Sequence, residues 1–161
     1  MQIVSLAEVS NAQAAEWLVD LADDLRLADL DEIEATTAEE PAVALISSVM
    51  VSTHAWVILD GEDPICAFGA APDDRPGLGV VWMVGSPRMD ERRNALAILR
   101  QSKPYLARLH AAYPTLWNNI DARNDRSMRW LEWLGFEVME ALPGWGLEGR
   151  LFYHFARTAS V

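Results

Sequence analysis

Apolar and polar positions along this chain repeat with two periods, and each switch between them marks an element. "QIVSLA" near the N-terminus is a short apolar run that predicts a strand. The stretch "SNAQAAEWLVDLADDLRLADLDEIEA" (10–35) has helical spacing, with Ala14, Trp17, Leu18 and Leu21 on one face and acidic residues opposite. Ser10 or Asn11 supplies its N-cap. "EEPAVALISSVMVS" predicts a second helix, with Pro41 tolerated in the first turn. "HAWVILDGEDPICAFGAAPD" reads as two strands about a tight turn at Asp60-Gly61. "GLGVVWMVG" is apolar throughout, the pattern of a central strand.

In the second half, "SPRMDERRNALAILRQSKPYLARLHAAY" predicts one long helix, opened by Ser86-Pro87 and kinked or divided at Pro104. "TLWNNIDA" is the next strand. Asn124 or Asp125 caps a helix "DRSMRWLEWL" that Gly135 terminates. "FEVMEAL" and "GRLFYHFAR" are the last two strands, joined by a loop "PGWGLEG". The order is β-α-α-β-β-β-α-β-α-β-β, which predicts an α/β sheet with helices on both faces. No repeat, low-complexity tract or linker divides the chain, so residues 1–161 are expected to form one domain.

Composition narrows the function classes. An apolar fraction of 51% and a charged fraction of 23% are those of a chain that buries a sizeable core. Cys66 is the only cysteine, which excludes an internal disulfide; its apolar setting "PICAFGAA" fits a core residue rather than a nucleophile. No apolar run has the length of a membrane helix, and no basic region precedes the apolar start, so neither a membrane span nor a signal peptide is expected. Residues 1–80 hold sixteen acidic and two basic side chains, and residues 81–161 hold eight and eleven, for a net charge of −11. That balance argues against direct nucleic-acid binding, which needs clustered Lys and Arg. Six arginines do gather in "RMDERR" (88–93) and "ARNDRSMR" (122–129), near two helix starts. They suit a local anion or partner site, or simply a solvated helix face.

The element order, and "NDRSMRWLEWLGFEV" with its Asn124 cap and "LGF" at 134–136, resemble the GNAT acyl-CoA N-acyltransferase fold over nearly the whole chain. A closer resemblance joins "VVWMVGSPRM", "YPTLWNNIDARNDRSMRWLEWLGFEV" and "GWGLEGRLFYHFAR". These motifs are similar to the small internal virion proteins of short-tailed bacteriophages, an acetyltransferase-like family. The resemblance implies a central mixed, mostly antiparallel sheet and a gap between the strands at 79–85 and 115–121 in which acetyl-CoA would lie. It also implies a virion-associated or head-assembly role, in the particle or in the host cytoplasm during assembly, with other virion or head proteins or further copies of the chain as partners.

The same resemblance implies where the chemistry would be, and several parts are altered. Aligning Pro87 with the family's usual proline puts Glu91, Arg93 and Ala95 where the pyrophosphate loop carries glycines, and no glycine occurs between Gly85 and Gly135. An acidic Glu91 at a helix start competes with a phosphate there, whereas Arg92 and Arg93 could hold an anion by their side chains. The tyrosine that protonates the leaving thiolate in active members falls at Leu131, which has no proton to give. Tyr153, Asp121 and Glu137 remain as weak catalytic candidates. Val84, Gly85, Arg92, Arg93 and Asn124 are the positions where a vestigial cofactor site would lie, and His154 reads as a hydrogen-bonded, half-buried residue. Gly144, Gly146 and Gly149 match a dinucleotide fingerprint but lie between two strands, and the three histidines have no metal-ligand spacing.

The expectation is therefore a retained fold with degraded chemistry, no bound cofactor, no metal, and action by protein–protein contact, with Trp133 and Trp145 as interface residues. The alternatives are an active N-acetyltransferase that uses acetyl-CoA through an atypical loop on Arg92 and Arg93, and a small acidic protein that meets a basic host surface.

Overall fold

The structure is a computed structural model that describes residues 1–160. Strands β1 (Gln2–Ser5), β2 (His54–Asp60), β3 (Asp63–Pro72), β4 (Leu78–Gly85), β5 (Thr115–Asp121), β6 (Glu137–Trp145) and β7 (Arg150–Thr158) form one sheet in the order β1-β2-β3-β4-β5-β7-β6. Every neighbouring pair is antiparallel except β4 and β5, which run parallel. The apolar run at 78–85 does lie at the centre of the sheet. The Asp60-Gly61 signal does close the β2–β3 hairpin: Asp60 pairs with Asp63, and Gly61 takes a φ of 70°.

Helices α1 (Asn11–Ala22), α2 (Leu27–Thr36) and α3 (Pro41–Val51) belong to one side of the sheet. There Leu18, Leu21 and Leu45 pack on Val57, Leu59 and Ala67. Helices α4 (Arg92–Ala112) and α5 (Asp125–Trp133) cover the other, where Leu106, Leu109, Leu134 and Phe136 meet Leu116, Ile120 and Phe155.

Four sequence expectations are corrected. The helix expected over 10–35 breaks into α1 and α2, so three helices precede β2. Leu25 is buried and Arg26 takes an extended backbone that turns its side chain inward, which a continuous helix would not allow. The long helix begins at Arg92, not Ser86; Pro87–Asp90 form a 3-10 turn whose Met89 packs against Gly85, where a Cβ would stand 2.1 Å from its sulfur. Pro104 does not divide α4, which runs on to Ala112, and the carbonyl it leaves unbonded belongs to the exposed Arg100. Finally, Trp145 is not on a loop. It ends β6, paired with Arg150, and only Gly146–Gly149 turn.

Candidate functional site

The site is the place where the sheet forks. β4 and β5 pair only at Leu78–Thr115, Gly79–Leu116 and Val80–Trp117. Gly79 permits this close seam, since a Cβ there would stand 2.5 Å from the Tyr113 ring. Beyond the seam the strands part, and Asn118 Nδ2 spans the start of the gap by donating to the Val81 carbonyl at 2.6 Å. The gap opens into a cavity of about 990 Å³ between α4 and α5, bounded by Val81–Val84 on one strand and Asn118–Ile120 on the other. α2 and the end of β6 close it from the other side through Glu32, Ile33 and Trp145.

Polar groups concentrate along the free edge of β4. Asp29 is buried, and its Oδ2 accepts the Gly85 N–H at 2.8 Å. The backbone N–H of Arg26 donates to the Gly85 carbonyl at 2.9 Å. Both main-chain groups of Gly85 are thus taken, one by Arg26 just before α2 and one by Asp29 in its first turn. The Arg26 guanidinium donates twice to Asp29, each at 2.9 Å, and once to Asp90 at 3.3 Å. Arg126 at the start of α5 binds the same Asp90, with Nε 3.2 Å from its Oδ1 and Nη2 donating to its main-chain carbonyl at 3.0 Å. One carboxylate therefore ties the 3-10 turn to α2 and α5 at once. Burial lifts the Asp29 carboxyl above its ordinary range, and the hydrogen bonds from Arg26 and Gly85 pull it back.

At the end of β5 the arrangement is equally specific. Glu32 Oε1 accepts the Asp121 N–H at 3.0 Å and the Asn124 side chain at 3.3 Å. Burial pushes the Glu32 carboxyl up to about 7, against those two hydrogen bonds. Asn124 also caps α5, accepting the Ser127 N–H at 3.2 Å. Asp121 is held by Arg123, with Nη2 on Oδ2 at 2.6 Å and Nε on Oδ1 at 3.0 Å. That hydrogen bonding keeps its carboxyl below the usual carboxylate range.

The residues singled out in the sequence scatter on this map. Val84 and Asn124 line the cavity. Gly85 lies at its edge with both main-chain groups already bonded. Arg92 is exposed in the first turn of α4, and Arg93 turns away to bind Asp60 at 2.8 Å, so neither of that pair lines the cavity. Asp121 is neutralised by Arg123. Glu137 lies exposed on the outermost strand, and Tyr153 packs against the core beneath α4 and α5 rather than in the cavity. Tyr105, on α4, is the tyrosine that lines the cavity, edge-on to Trp56 and Phe68. Trp133 and Trp145 stand at the rim, 50% and 40% exposed, with the Lys103 ammonium 4.9 Å from the Trp133 ring. Sequence pattern alone does not single out Arg26, Asp29, Glu32 or Asp90. The one available signal was Arg26, the only basic residue in an otherwise acidic run from Met1 to Asp74.

No family model and no curated protein matches the sequence. Solved structures do match. The acetyltransferase of the GNAT family from Streptococcus pneumoniae is 17% identical, with a TM-score of 0.64, over 99% of this chain and 100% of that one. An aminoglycoside 6'-acetyltransferase type Ii is 19% identical, with a TM-score of 0.70, over 98% and 97%. Ard1 from Thermoplasma volcanium is 12% identical, with a TM-score of 0.66, over 99% and 98%. The chain therefore has the GNAT fold, with a seven-stranded, mostly antiparallel sheet and five α-helices among the described residues. No described helix is long and apolar enough to cross a membrane.

Proposed function

We propose that this GNAT-fold chain has given up acetyl transfer and works by protein–protein contact, as a bacteriophage virion or head-assembly protein. The observation that carries the first part is the double bonding of Gly85. An extended ligand bearing amides docks on a free strand edge by pairing with its N–H and C=O groups. Here Arg26 and Asp29 already satisfy both at the open end of β4, within a buried ion pair that a ligand would have to break. Carboxylates support the same reading: Asp90 and Glu91 stand before the first turn of α4, where a phosphate would seek the helix N-terminus. The phage assignment rests on the motifs at 80–89, 113–138 and 144–157.

A second reading is an acetyl-CoA-dependent N-acetyltransferase. It is favoured by the open cavity, which holds Tyr105 as a proton donor and Glu32 as a carboxyl poised near neutral pH for proton transfer. Calorimetric titration with acetyl-CoA separates the two. No heat of binding at low-micromolar protein and ligand is expected; a low-micromolar Kd overturns the first reading. Mass analysis of purified phage particles tests the particle assignment, with the chain expected in particles or in their assembly intermediates and its absence from both counting against it.

A further inference from the structure

Among the described α-helices only α3 carries no charged side chain, and residues 41–53 contain no Asp, Glu, Lys or Arg. A surface helix normally has a polar outer face; one that is apolar all round is covered on both sides. The inner face of α3 is covered, with Ala42, Leu45, Ile46 and Val49 packed over the sheet and α1. The outer face is not. Val43, Ser47 and Met50 recur at helical spacing along it, with Val43 48%, Met50 80% and the adjoining Val51 63% exposed. Of its two serines, Ser48 turns its hydroxyl onto the Ala44 carbonyl, which leaves Ser47 as the one polar side chain on the outer face.

The surroundings say what covers it. From Met1 to Thr53 the only basic side chain is Arg26, enclosed by Asp29 and Asp90. The exposed charges of this helical layer are acidic, among them Glu16, Asp20, Asp23, Glu34, Glu39 and Glu40. An apolar stripe set in an acidic surface repels a second copy of itself and attracts an apolar stripe flanked by Lys and Arg. Ser47, small and central, lets an incoming helix approach closely. We infer that the outer face of α3 docks a basic amphipathic helix of a partner protein, with Val43, Met50 and Val51 as its apolar floor. This rests on the contact-based reading above and gives it a surface and a partner chemistry.

The test uses the full chain and a fluorescent, idealised Leu/Lys helical peptide of about four turns, with a Leu/Glu twin as control. Anisotropy should show the Lys peptide binding and the Glu twin not. Val43→Ser combined with Met50→Gln, which leaves every charge in place, should weaken binding about tenfold or more. Unchanged binding by that double variant overturns the proposal, because charge alone would then be doing the attracting. A concentration-dependent dimer in sedimentation that the double variant abolishes also overturns it, in favour of a second copy. Should the variant melt early, amide shift mapping on the unaltered chain decides instead: shifts centred on α3 support the site, and shifts centred on the cavity or on β6 refute it. Tight acetyl-CoA binding with docking at α3 intact would sink the contact-only reading and leave this surface standing.

Discussion

Replacing Glu32 by Gln should make the protein more stable at mildly alkaline pH and leave it unchanged in acid. Glu32 moves from an ordinary value of 4.5 to about 7 because burial disfavours its charge. Between those values the folded state keeps a proton that the unfolded chain has released. The stability tied to that proton is fully present below about pH 4.5 and is lost as the pH rises through about 7. At roughly 1.4 kcal/mol per pH unit, the displacement corresponds to about 3 kcal/mol by about pH 8. Part of the side chain faces the cavity, where water screens its charge, so this figure is a ceiling. Gln retains an Oε1 acceptor for the Asp121 N–H and the Asn124 side chain and has nothing to ionise. The Gln variant should match the parent near about pH 4 and exceed it by about 1–3 kcal/mol near about pH 8, which for a chain of this size is about 3–10 °C in Tm. Thermal melts by circular dichroism across that range measure it, and the difference between the two proteins isolates Glu32 because Asp29, Asp121 and His110 titrate in both. A difference that does not change with pH, or a Gln variant that is the less stable one at about pH 8, refutes the assignment.

Asp29→Asn removes one charge from the buried pair and strands Arg26 with Asp90 alone, so urea unfolding should show a loss of about 3–5 kcal/mol; a loss under about 1 kcal/mol would mean the pair is not a buried constraint. Trp130 packs against the core with its indole N–H enclosed, whereas Trp133 is half exposed under Lys103. Trp130→Ala should therefore cost about 3 kcal/mol and Trp133→Ala about 1 kcal/mol or less, and equal losses in chemical denaturation would contradict that ordering. Gly144 and Gly146 both have positive φ, but a Cβ on Gly144 meets nothing within 4 Å while one on Gly146 stands 2.2 Å from the Ala35 carbonyl oxygen. Gly144→Ala should cost about 1–2 kcal/mol and Gly146→Ala clearly more, and melting temperatures that fall together would show that the turn yields.

What could be read from the sequence was what neighbouring residues decide together. The Asp60-Gly61 turn, the Asn124 cap and the Gly135 stop are local, and all three stand in the structure. So does the central position of the apolar run at 78–85. The break after Ala22 was hidden because its cause is distant: Arg26 turns inward for the Gly85 carbonyl and Asp90, more than fifty residues away. Glu32 looked like one more solvated acid, and only the approach of Asp121 and Asn124 gives it a role. Arg93 is hidden for a matching reason, since its partner Asp60 sits on a hairpin that helical periodicity says nothing about. Flanking Pro and Gly favour a loop at Trp145, yet cross-strand pairing with Arg150 overrides that local preference.

The three-pair seam between β4 and β5 also bears on the order in which this chain assembles. Each of the other neighbours in the sheet that follow one another closely in sequence, β2 with β3, β3 with β4 and β6 with β7, can close as a hairpin by looping a few residues. The seam cannot, because all of α4 lies between its two strands and must be collapsed before Leu78 finds Thr115. Loop-closure entropy is here set against the shortest stretch of pairing in the sheet, which favours joining the two halves after the hairpins have formed. The cavity belongs to that joining: it is the space left where two half-sheets meet at one corner, and the Arg126–Asp90 contact spans it from one half to the other.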